Sequence, residues 1–217
     1  MPHCRHAWLF LLLATGLSVS AGCSLLANML YIVKGNKEPA AYDDLKGKTV
    51  AVVCISDATA YGPNSLAERL GKALSLRLAR NVNRIKLVPY DEVQDWQDRN
   101  GWNEIDFQML GNDLNAEMVV VLEMTNYSIH EGQTMFKGRS TITTRVYDIA
   151  DGGEVKFVFG PEQYEFPKSH GRPAIGISEA QFETAYLTKV IDVISRLFYP
   201  YERTEAIGED AWAFDSM

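Results

Sequence analysis

Cysteine is scarce in this chain: Cys4, Cys23 and Cys54 are the three in 217 residues. That number gives no disulfide framework, so the fold must rest on its core. Histidine is nearly as scarce. His130 and His170 have no Cys, His or Glu at i+3 or i+4, so neither begins a metal box, and both read as surface residues. Positive charge is in the minority, 21 Lys and Arg against 28 Asp and Glu, for a net charge of −7. An acidic chain lacks the electrostatic footprint of a nucleic-acid binder and the polybasic patch that grips anionic lipid. No apolar run reaches the roughly 20 residues that a spanning helix needs. No G-x-S-x-G elbow occurs, so serine hydrolysis has no local signature. Lys46-Gly47-Lys48-Thr49 imitates the end of a phosphate-binding loop, but the position that needs glycine holds Tyr42, and a strand follows where a helix is required. No cofactor, metal or catalytic residue is expected.

The amino-terminal region is richer. Arg5 precedes an apolar run from Ala7 to Leu17, and Ser20-Ala21-Gly22-Cys23 follows. A charged start, an apolar middle and small residues before a cut mark a secretory signal. A cysteine directly after the small residues resembles a bacterial lipobox, although Ser20 stands where Leu is favoured. The resemblance implies cleavage before Cys23, diacylation of its thiol and acylation of the new amino terminus. Ordinary cleavage, with Cys23 left as a free thiol, is the alternative. Loss of residues 1–22 removes Arg5 and brings the net charge to −8. Residues 23–47 read as a lipidated tether, 48–200 as one α/β domain and 201–217 as an acidic tail carrying Trp212 and Phe214.

Within the domain, Thr49 to Ile55 is a continuous apolar run that suits a strand buried on both faces. Cys54 lies inside it and reads as a small buried hydrophobe. Ser65-x-x-Glu68 is a capping box ahead of Leu66, Leu70, Ala73, Leu74 and Leu78, which predicts a helix over 66–80. Ile85 to Val88 is a short strand closed by Pro89. Asp91 to Arg99 and Asp106 to Leu114 are short helices. Glu117 to Thr125 is a second central strand, followed by an alternating antiparallel meander. There Tyr127 pairs in face with Ile129, and Val155 with Phe157 and Phe159. Asp151-Gly152-Gly153 supplies a tight turn. Ser178-x-x-Gln181 opens a last helix with the stripe Phe182, Tyr186, Val190, Ile194 and Leu197, ended by Pro200. The order β-α-β-α-α-β-β-β-α predicts an α/β fold, a mixed sheet with helices packed on it.

Two loops are candidate partner-binding surfaces: Ser56 to Asn64, with Tyr61, and the loop around Trp102. Trp96, Trp102 and Phe107 form either an aromatic binding patch or core aromatics beneath a loop, and the second reading is favoured. Asp91, Glu92, Asp95 and Asp98 read as a solvated helix face.

The order of these motifs resembles the anticodon-binding-like α/β domains of bacterial envelope proteins. That group includes a curli-secretion channel lipoprotein, a penicillin-binding-protein activator lipoprotein and the amino-terminal domain of the Tol propeller protein. The resemblance rests on Thr49–Val53, on Leu66–Leu74, on Leu87-Val88-Pro89-Tyr90-Asp91-Glu92-Val93, on Leu114–Val121 and on Arg145–Val155. It implies a tethered adaptor, regulator or subunit of an envelope machine, not an enzyme, with an envelope protein as partner; Ser24 after the anchor, in place of Asp, is compatible with outer-membrane sorting, facing the periplasm.

A homo-oligomeric export channel is the alternative, and a wall or polysaccharide hydrolase is a second. A channel needs long membrane-crossing hairpins. The single candidate is Ile129 to Val146, where Lys137, Arg139 and Arg145 share one parity and Phe136, Ile142 and Val146 the other. The same pattern fits a sheet packed on helices, which is the favoured reading.

Overall fold

The computed structural model describes residues 37–57, 65–102, 104–168 and 170–202. They belong to two compact units. One is made of the chain's two ends, where β1 (Lys37–Glu38) pairs antiparallel with β8 (Tyr201–Glu202). The other, Ala40–Tyr199, is an α/β unit.

The α/β unit follows the expected order: β2 (Thr49–Ser56), α1 (Leu66–Asn81), β3 (Lys86–Leu87), α2 (Tyr90–Asn100), α3 (Phe107–Asp113), β4 (Met118–Glu131), β5 (Met135–Asp148), β6 (Glu154–Phe166), β7 (Arg172–Pro173) and α4 (Glu179–Ser195). The sheet order is β3-β2-β4-β5-β6, with β7 paired to β5. β2 runs parallel to β3 and β4, because helices separate them in the chain, whereas β4, β5 and β6 are antiparallel neighbours joined by turns.

β2 is buried on both faces as its unbroken apolar run requires. Ala51 and Val53, with Val119 and Val121 of β4, pack against Val93 and Trp96 of α2, Leu110 of α3 and Ile149. The opposite parity, Val50, Val52 and Cys54 with Val120, Leu122 and Met124, is buried on the side of α1 and α4. The helices there bury Leu70, Leu74 and Leu78 from α1 and Phe182, Tyr186, Val190 and Ile194 from α4. Beyond Ser195 the helix tightens to a 3-10 turn, Arg196–Phe198, so Phe198 rather than Leu197 completes the buried stripe.

Two of the four register shifts in the meander re-aim it. The segment after Thr125 continues β4. The register slips between Thr125 and Ser128, where Asn126 adopts φ 53° and donates its backbone N–H to Asp57 Oδ2 at 2.7 Å. This pivot turns Tyr127 toward α4. The other lies between Val146 and Tyr147, so Val155 faces Tyr147 and Val158 faces Arg145. Val155 therefore leaves the face it was expected to share with Phe157 and sits 42% exposed with Val158. The extra residue is Lys156, a bulge that inverts the alternation.

The basic residues of the hairpin are tied to carboxylates on neighbouring strands: Lys137 with Glu165 at 2.8 Å, Arg145 with Glu123 at 3.0 Å, and Arg139 with Glu131. The opposite parity packs beneath α4. No helix among the described residues is long and apolar enough to cross a membrane.

Candidate functional site

Cys23 and Tyr61 lie outside the described residues, as do residues 1–36 and the segment 203–217. Trp102 follows Gly101, whose φ of 99° ends α2. It is half-buried and donates its indole N–H to Asp98 Oδ1 at 3.0 Å, across one helical turn. Trp96 is core, 4% exposed, and donates to Asp113 Oδ2 at 2.8 Å. Phe107 packs on Tyr147 with ring centroids 4.8 Å apart. Trp96 and Phe107 are thus core aromatics beneath a loop.

A feature the sequence reading missed lies on the outer side of α1 and α4. Ser65 caps α1 by accepting from the Glu68 N–H, and Ser178 and Gln181 cap α4 reciprocally, so both helices have firm starts. Arg69 Nη1 donates to Glu183 Oε2 at 2.5 Å. Arg77 pairs with the buried Asp192 one helical stretch later. Two cross-links that advance together along both helices mean that α1 and α4 run parallel. Between them is a groove of about 320 Å³, floored by Leu70, Leu187 and Ile191 and rimmed by Arg69, Arg77 and Arg80.

The electrostatics behind the rim are fixed by a small network. Tyr127 donates its hydroxyl to Glu183 Oε1 at 2.7 Å, so both oxygens of that carboxylate are taken. Burial alone would raise the Glu183 carboxyl, but the Arg69 and Tyr127 hydrogen bonds outweigh it and hold it below the usual range. Burial, and then the bond to Glu183, push the Tyr127 phenol up. Beside it Tyr186, at a ring distance of 6.1 Å, shares a hydrogen bond with Ser140 Oγ at 2.6 Å, and burial pushes its hydroxyl up to about 12. Tyr127 and Tyr186 are held neutral, so they serve as hydrogen-bonding struts. Arg80 has no ion-pair partner among the described residues, and Leu76 is 54% exposed on the same helix.

A sequence signal for this groove exists. Leu76 falls off the stripe Leu66, Leu70, Leu74 and Leu78, and an apolar residue on the wet side of a helix needs a reason. Among the described residues no group of His, Cys, Asp and Glu could hold a metal ion.

No family model matches the chain, and no curated protein matches it. Solved structures give remote fold likenesses. The PelC dodecamer from Paraburkholderia phytofirmans is 10% identical, with a TM-score of 0.43 over 75% of this chain and 95% of that one. A lipoprotein from Neisseria meningitidis is 11% identical, with a TM-score of 0.43 over 68% of this chain and 98% of the other. The LpoB C-terminal domain from Salmonella enterica is 11% identical, with a TM-score of 0.38 over 65% of this chain and 92% of that domain.

Proposed function

We propose that this chain is a lipid-anchored protein of the bacterial envelope that acts as an adaptor or regulator by binding another protein. Ser20-Ala21-Gly22-Cys23, after an apolar run, supports the anchor. The α1–α4 groove carries the binding half of the reading. It joins an apolar floor to a polar rim, which is the composition of a protein-recognition surface. The tether would hold the α/β unit near a membrane-bound or wall-associated partner and raise its effective concentration. Such a role asks for no bond making or breaking.

The test is the Cys23→Ser variant of the full chain. Expected are loss of labelling by radioactive palmitate, release from the membrane fraction, and a drop in partner recovery after crosslinking in intact cells. Undiminished partner recovery by the released protein would show that the tether is incidental. No recovered partner for either form would sink the adaptor reading.

A further inference from the structure

The α1–α4 groove suits a narrower class of partner than an adaptor surface in general. Its rim residues Arg69, Arg77 and Arg80 span 11 positions of one helix, about 16 Å at 1.5 Å per residue. A single small anion cannot meet a row of that length, and it would leave the apolar floor unfilled. Leu70, Ala73, Leu76, Leu187 and Ile191 form a continuous apolar strip along the same row. Among the described residues no carboxylate lines the groove; Glu183 and Asp192 hold Arg69 and Arg77 from behind, and Arg80 is exposed without an ion-pair partner.

We infer that the groove binds an amphipathic helix of a partner protein. About three turns of that helix would lay apolar side chains on Leu187, Ile191 and Leu76 and set Asp or Glu against Arg77 and Arg80. This rests on the adaptor reading above and names the chemistry of its partner. Charge complementarity selects the acidic flank: a basic helix would face Arg80, whose charge no ion pair among the described residues offsets. Among the described residues a second copy of the chain supplies no such helix. Its α2 has the charge, with Asp91, Glu92, Asp95 and Asp98 exposed, but the apolar residues of α2, Val93 and Trp96, are buried in the copy's own core.

The experiment places a photo-crosslinking residue at position 76 of the full-length, membrane-attached protein, with the exposed Val158 position as control. Captured peptides are then sequenced by mass spectrometry. Expected is capture at position 76, and not at 158, of one segment with apolar residues at i, i+3 or i+4 and i+7 flanked by carboxylates. Arg80→Glu and Leu76→Asp alter exposed side chains, so circular dichroism and thermal midpoint should hold while capture of that segment falls about tenfold. A neutral or basic segment, lipid alone, or a second copy of this chain at position 76 would overturn the inference. So would unchanged co-purification of partners with both variants, which leaves the adaptor reading standing. Failure of the adaptor reading is separate: no protein would be captured at either position and none would co-purify.

Discussion

Gly138 of β5 lies flat beneath the ring of Tyr186, so that a methyl group on its Cα would overlap the ring carbons. This contact lets α4 settle close to the sheet, and the Tyr186 hydroxyl reaches Ser140 two residues along the same strand. Gly138→Ala must push the helix away or force Tyr186 off its rotamer. The expected loss is about 1–3 kcal/mol of unfolding free energy, the usual cost of overpacking a core. Urea denaturation of the 40–199 unit in the full chain would read it; an unchanged midpoint would mean that α4 is not held at that height.

Gln97 should behave in the opposite sense. It is wholly buried on α2, and neither its amide nitrogen nor its amide oxygen has a hydrogen-bond partner among the described residues. An unsatisfied buried amide costs about 1–3 kcal/mol. Gln97→Met keeps the length and removes the polar atoms, so stability should rise by about 1 kcal/mol or more. A fall in the thermal midpoint would show that the amide is satisfied in solution.

Acid should weaken the link between α1 and α4. The Glu183 carboxyl is held below its ordinary value of 4.5, so at a pH between the two values the unfolded chain binds more protons. Its contribution is present above about pH 4.5 and fades as pH falls through the lower, folded value. Glu183→Gln should flatten the stability–pH curve between about pH 5 and 3. Equal slopes for the two proteins would place the acid sensitivity elsewhere, with Glu117 and Glu165 the next groups to change.

Alkali acts on the same network from the other side. Tyr127 and Tyr186 keep their protons in the fold to higher pH than the ordinary value of 10. Above about pH 10 the unfolded chain ionises first, so stability falls as pH rises. Tyr127→Phe should shallow that decline while losing about 1 kcal/mol at neutral pH from the Glu183 hydrogen bond. A steeper decline would contradict the assignment.

Cys54 is fully buried and its thiol is pushed up by burial, which keeps it in the unreactive protonated form. In the native protein Cys54 should resist a thiol reagent, and it should react with one equivalent on unfolding in guanidinium. Rapid native labelling of Cys54 would reveal local opening of β2.

The parts of the fold that could be read from sequence are those in which local chemistry and long-range packing agree. Thr49–Ser56 has a run of apolar residues that suits its place between two helical layers. Ser178 and Gln181 announce α4 by hydrogen bonds spanning three residues. What could not be read depends on single-residue slips. Asn126 flips to positive φ because Asp57, far away in the chain, receives its N–H; Lys156 bulges and turns Val155 outward. Strand alternation carries no mark of either event. The groove escaped for a related reason: nothing local sets Arg69 and Arg77 apart until α4 brings Glu183 and Asp192 beside them. Trp102 drew attention as an aromatic in a loop, yet its indole is engaged by Asp98 four residues earlier.

The two ion pairs that set α1 and α4 parallel also decide how their peptide dipoles combine. Parallel dipoles reinforce one another, so positive potential gathers at the ends capped by Ser65 and Ser178 and negative potential at the ends near Asn81 and Ser195. Arg77 and Arg80 sit at the negative end of α1 and temper it. A helix entering the groove would therefore meet a polarised track and lie antiparallel to both hosts. Its acidic first turn would rest against Arg77 and Arg80. A groove between antiparallel helices would have no such sense of direction; this one would accept its partner one way round.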